Sequence, residues 1–256
     1  MKNASLIFGA ATGALMMVAA AGAHAQSWAD TTTVTGRIYS DITTQSNKVD
    51  GAKAAGSTQG LGYDIKRFYI GFDHKFTDVW STNVTLDNSL VSGVGQTTYI
   101  KKAYLQATID PAFVVTVGAT DMPWVPYVEG IYNYRYLENT VTDISKSGAG
   151  AVATSSDWGV HVSGTLPGNI VSYQVSAVNG NGYRNPARQN GFDYEGRLSA
   201  KWNQWNFAVG ARTGYLGQKV EGTATPNKAT RTDALVAWVG DRLRAGAEYY
   251  QAKNYS

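Results

Sequence analysis

The sequence predicts an all-β protein, an antiparallel transmembrane β-barrel of the outer-membrane type. Three observations predict it. Short runs alternate strictly between apolar and polar side chains. The breaks between runs alternate between a tight turn and a long polar stretch, the asymmetry such a barrel needs and a soluble sandwich has no reason to keep. The composition is rich in turn and aromatic residues, with 28 Gly, 16 Tyr and 7 Trp against 6 Pro. Beyond residue 25 no run of 18 apolar residues occurs, so no transmembrane helix is expected.

The first 25 residues read as a signal peptide rather than as fold. Lys2 supplies the positive start, Leu6 to Ala21 is apolar and small, and Ala23-His24-Ala25 is a small-residue cleavage site. Cleavage after Ala25 leaves the barrel over 26–256, 231 residues whose net charge falls from +3 to +2 with the loss of Lys2. That balance argues neither for nor against nucleic acid. There is no cysteine, so an exported chain does not rely on disulfides. Bacterial outer-membrane localisation follows from this reading.

Eleven strands are expected, over 33–43, 64–74, 79–89, 99–109, 113–120, 157–165, 170–178, 191–202, 205–214, 232–239 and 242–250. In the first, Val34, Ile38 and Ile42 oppose Arg37, Tyr39 and Asp41. In the second, Phe68, Ile70 and Phe72 oppose Arg67, Tyr69 and Asp73. The same alternation runs through the others, except that 232–239 alternates poorly. Tight turns fall at 75–78, 110–112, 166–169, 203–205 and 240–241, and long loops at about 45–60, 90–98, 121–156, 180–190 and 217–229. Charge at bilayer depth costs several kcal/mol, so the face carrying Arg67, Asp73, Lys102, Glu195, Arg197, Arg244 and Glu248 must look into water, in a closed barrel the lumen. Trp80, Phe113, Trp158, Phe192, Trp202 and Trp205 sit near strand ends, where interfacial girdles belong. A soluble sandwich would hold its aromatics mid-strand.

Eleven is an odd count for a bacterial barrel, and the chain ends at Asn254-Tyr255-Ser256 without a terminal aromatic. The expectation is a chain that lacks its C-terminal strands, or one strand miscounted in a closed barrel of 10 or 12. An open edge is untenable in lipid.

The run Asp64-Ile65-Lys66-Arg67-Phe68-Tyr69-Ile70-Gly71-Phe72 is similar to the early basic strand of the phosphate-selective porin O and P family. The run from Val117 through Gly118 and Asp121 to Trp124 is similar to its G-Q-F-K-x-P-F segment, and Gly196-Arg197-Leu198 to its G-R-L strand. The likeness spans about 60 to 215. It implies a 16-stranded homotrimeric porin with an inward-folded third loop, longer than this chain. The family's basic residue after the G-Q-F strand is Asp121 here, so phosphate selectivity does not carry over at that position.

The residues themselves suggest a water-filled passage. Arg37, Arg67, Tyr69, Lys102, Tyr104, Arg197, Lys201, Arg212 and Arg244 are expected to line it. Eight bases (Arg242 included) against six acids give a faint positive bias, hence a weak anion preference. Wall charges paired across strands are the plainer reading of most of these. Loop 121–156, rich in aromatics, is expected to fold inward, with Trp124, Tyr127, Glu129, Arg135 and Glu138 at a constriction. No nucleophile spacing stands out around His74 or His161, so no enzyme is expected; nor is a cofactor, a metal or nucleic acid. The partners implied are outer-membrane lipid and small hydrophilic or anionic solutes. A binding or adhesion barrel with a plugged lumen is the second functional class.

Overall fold

The computed structural model describes residues 28–53, 59–91, 95–143 and 151–255. The signal peptide expected over 1–25 lies outside the described residues. A four-residue helix, α1 (Trp28–Thr31), leads into β1 (Thr32–Gln45). A small hairpin of β2 (Lys48–Val49) and β3 (Ala52–Lys53) follows. It turns on Asp50-Gly51, both at positive φ, as a two-residue hairpin turn demands. Then come β4 (Gly60–Lys75), β5 (Trp80–Val91), β6 (Gly95–Asp110) and β7 (Phe113–Asp121). Helix α2 (Val125–Tyr132) and a 3-10 turn at Val141–Asp143 interrupt the strands. The chain continues with β8 (Ser156–Thr165), β9 (Val171–Val178), β10 (Asp193–Trp202), β11 (Trp205–Gly214), β12 (Ala229–Val239) and β13 (Arg244–Lys253).

Apart from β2 and β3, the strands form one eleven-stranded antiparallel sheet in chain order, each strand pairing with its chain neighbours. The fold is all-β, and β1 and β13 are its two edges. All eleven expected strands are present. The expected long loop at 90–98 is not: β5 and β6 pair out to Val91↔Gly95, and Thr98 Oγ1 donates to Asn88 Oδ1 at 2.7 Å. Gln96, Thr97 and Thr98 belong to the start of β6 and pair with Leu90, Ser89 and Asn88. The other long connections share one end of the sheet and the tight turns share the other.

The two faces differ in chemistry. Cross-strand pairs such as Val34↔Phe72, Val84↔Ala103, Val117↔Val160, Leu198↔Val209 and Val236↔Ala247 run across one face. Its large apolar side chains are exposed: Val34 65%, Val117 47%, Leu198 54%, Val209 57%. The strand-interior charges fall in the opposite register, as in Arg37↔Tyr69, Tyr69↔Asp87, Glu195↔Arg212 and Arg212↔Arg231. Two bulges modify that polar face. The β1–β4 register skips Lys66, and the β5–β6 register skips Lys101. A bulge turns two successive side chains toward one side. That is why Lys101 and Lys102 line the same cavity.

Candidate functional site

The residues after β7 lie against the polar face. Met122, Pro123 and Trp124 are buried, and α2 carries Pro126 in its first turn, where a proline's fixed φ and missing N–H are tolerated. The helix ends at Asn133, left-handed at φ 59°, whose N–H closes onto the Glu129 carbonyl at 2.7 Å. Its residues divide by helical spacing. Trp124, Val128 and Ile131 face the sheet at Ala208, Leu235 and Ala237. Pro126, Glu129, Gly130 and Asn133 face a cavity on the other side. Gly210 makes room for the indole: a Cβ there would lie 2.7 Å from Trp124 Cε3.

Hydrogen bonds from β10 to β13 fix this segment. The Trp124 N–H donates to Glu195 Oε1 at 3.1 Å, and the indole N–H to Glu248 Oε1 at 2.8 Å. Arg197 Nε donates to the Pro123 carbonyl at 2.7 Å, and its guanidinium lies 4.0 Å from the Tyr127 ring centroid. Arg244 Nη1 donates to the Ile131 carbonyl at 2.6 Å, and Arg231 Nη1 to the Val152 carbonyl at 2.8 Å. An eight-residue helix is only about 12 Å long. A flat sheet of eleven strands would be about 50 Å wide. Yet β13 bonds to Trp124 while Thr35, Gly36 and Arg37 of β1 share a cavity with Pro126 and Glu129. The sheet therefore curls around the segment from both edges.

That cavity, of about 890 Å³, separates α2 from the polar face of β1 and β4–β7. Tyr39, Tyr69, Tyr104 and Tyr136 line it, with Arg37, Lys101, Lys102, Arg135, Asp73, Asp121 and Glu129 among the charged groups. Most charges are answered locally. Lys102 Nζ lies 2.5 Å from Asp121 Oδ2, Arg135 Nε 2.6 Å from Glu129 Oε1, and Asn83 Nδ2 donates to Asp73 Oδ1 at 2.7 Å. Arg37 donates to the Tyr39 hydroxyl at 3.2 Å, and Lys101 Nζ sits 4.9 Å above Tyr69. Arg135 also approaches Asp143 at 4.0 Å. Burial, and then the Glu129 charge, push the Asp143 carboxyl up to about 6, against the pull of Arg135.

A second inward anchor comes from the β9–β10 connection. The Tyr183 hydroxyl donates to the buried Asp87 at 2.6 Å, and Arg67 reaches the same carboxylate at 3.4 Å. Burial and that carboxylate hold the Tyr183 phenol well above its ordinary range. Two buried acids organise the loop bases. Asp157 accepts from the N–H groups of Gly180 and Gly182 at 3.0 and 3.2 Å. Asp193 accepts from Tyr215 N–H at 2.6 Å, Leu216 N–H at 2.9 Å, Gln189 at 2.8 Å and Arg212 at 3.2 Å. Carboxylates so occupied by N–H donors are not cation ligands.

The expected lining residues fall into three groups. Arg37, Tyr69, Lys102, Tyr104, Glu129 and Arg135 come together around the cavity. Arg197, Arg212, Arg244, Trp124 and Tyr127 bind loops or the helix to the wall, while Arg67 bonds within the wall to Asp87, the carboxylate that receives the Tyr183 hydroxyl. Lys201 is exposed at the end of β10, and Glu138 Oε1 accepts from the Asn139 N–H, both away from the cavity. Missed from the sequence were Lys101, Tyr183 and Arg231. Arg231 has a readable signal, since it shares a period of two with Asp233, whose carboxylate it grips at 2.9 Å. Lys101 had none, because the bulge that aims it breaks the period. No family model matches this chain, and no curated protein matches it.

Proposed function

We propose that this chain is an outer-membrane β-barrel through which small hydrophilic solutes diffuse passively, with a slight preference for anions. The observation that carries the reading is the exposed apolar face. It runs across all eleven strands, a band about 50 Å wide, with the strand-interior charges in the opposite register. Water-soluble monomers rarely leave more than a few hundred Å² of contiguous apolar surface. Hydrocarbon is the solvent such a face fits, and the reading requires that β1 and β13 be paired in the membrane. The cavity beside α2 is then the passage, and Arg37 and Lys101, without an ion pair among the described residues, supply the positive excess. The inward anchors at Trp124 and Tyr183 favour a second reading, a plugged barrel that acts through its loops.

Planar-bilayer recording separates them. The protein refolded in detergent should give ohmic steps, and Arg37→Glu should move the reversal potential in a salt gradient toward cations. Silence would support the plugged barrel. A chain that folds as a soluble monomer without detergent would remove both readings.

A further inference from the structure

We infer that the cavity between α2 and the β1–β7 wall binds neutral saccharides. This rests on the passage reading above and names the solute class of that site. A saccharide offers flat C–H faces and a rim of hydroxyls, each both donor and acceptor. The cavity offers matching parts. Four tyrosines supply apolar rings with a polar tip. The Lys102–Asp121 and Arg135–Glu129 pairs, at 2.5 and 2.6 Å, set fixed donors beside fixed acceptors. Thr35, Thr85, Asn83 and Asn133 add neutral hydrogen-bonding groups.

A charged solute fits less well. The lining carries four cations, Arg37, Lys101, Lys102 and Arg135, against three anions, Asp73, Asp121 and Glu129. Lys102 and Arg135 are already held by Asp121 and Glu129, so a phosphate would have only Arg37, bonded to the Tyr39 hydroxyl, and Lys101, over the Tyr69 ring, to bind it. One excess charge tilts the flow of small ions without making an ion-binding ring. Size agrees: about 890 Å³ falls within the 300–1,000 Å³ usual for small-molecule sites. Gly130 keeps the helix side open, since a Cβ there would meet nothing within 4 Å.

Ion current through the full chain in planar bilayers, with glucose, maltose and maltotriose added, tests this. Calorimetry with the same sugars on the detergent-refolded protein accompanies it. The expected result is reversible, concentration-dependent occlusion together with measurable heat. Tyr136→Ala, at an exposed ring, should raise the half-blocking concentration roughly fivefold. Gly130→Phe, which fills the open side, should abolish occlusion. Ohmic current indifferent to all three sugars, or blocked by phosphate at matched ionic strength instead, overturns the inference while leaving the passage standing. Sugar binding unchanged in both variants overturns it too, by placing the site elsewhere. Sugar heats without any current would keep the site and remove the passage.

Discussion

Trp124→Ala asks how firmly α2 is held to the wall. The indole is fully buried among Val128, Ala208, Leu235 and Ala237, over the gap left by Gly210. Truncating a buried tryptophan costs about 3–5 kcal/mol, because the space cannot fully collapse. The lost bond to Glu248 adds little, since that carboxylate is partly exposed and water can replace the indole. At about 1.4 kcal/mol per tenfold, the segment should leave the wall roughly 140- to 4,000-fold more often. Amide exchange over 122–136, followed by mass spectrometry, reads this directly. The Val128 and Asn133 N–H groups, bonded to the Trp124 and Glu129 carbonyls, should exchange faster by that factor. The sheet amides should not change. Trp124→Phe should recover most of the protection. Unchanged exchange in Trp124→Ala would refute the idea that this side chain docks the segment.

Two further outcomes follow from buried carboxylates. Asp193→Ala removes the acceptor of four donors and the nearer of the two carboxylates beside Arg212; thermal unfolding in detergent should show a loss of about 3–5 kcal/mol, and a loss under 1 kcal/mol would contradict the bonding described. The Asp143 carboxyl, raised to about 6 from 3.8, holds its proton longer when folded than when unfolded. Below about pH 4 both states are protonated and it contributes nothing. Between about 4 and 6 only the unfolded state loses the proton, so stability falls as pH rises, by about 3 kcal/mol at neutral pH. Asp143→Asn should flatten the stability profile in that window, and an unaltered slope would exclude Asp143 as its source.

Strand order and face were legible wherever one face stays apolar and the other polar, as in Phe68-Tyr69-Ile70 or Leu198-Ser199-Ala200. The poor alternation over 232–239 has a physical cause. Leu235 and Ala237 point to the polar side to receive Trp124, while Ala234 and Val236 lie on the other side, so both faces read as apolar. Tertiary packing there erased the period. The inward packing of the aromatic stretch after β7 was readable from its composition, but its partners were not. Alternation marks Arg197, Arg212 and Arg244 as polar-face residues; it cannot say that their guanidinium groups are already taken by carbonyls and carboxylates. Spacing along the chain carries no information on contacts such as Trp124 to Glu248, 124 residues apart.

The neighbour-by-neighbour sheet order has a consequence for biogenesis. Each hairpin finds its mate locally, so the wall can grow outward from any nucleus without a distant search. The tether from Trp124 is different: its acceptors lie on β10 and β13. The helix therefore cannot be seated until β10 to β13 stand, and the stretch most densely aromatic must wait unsheltered until those later strands have paired.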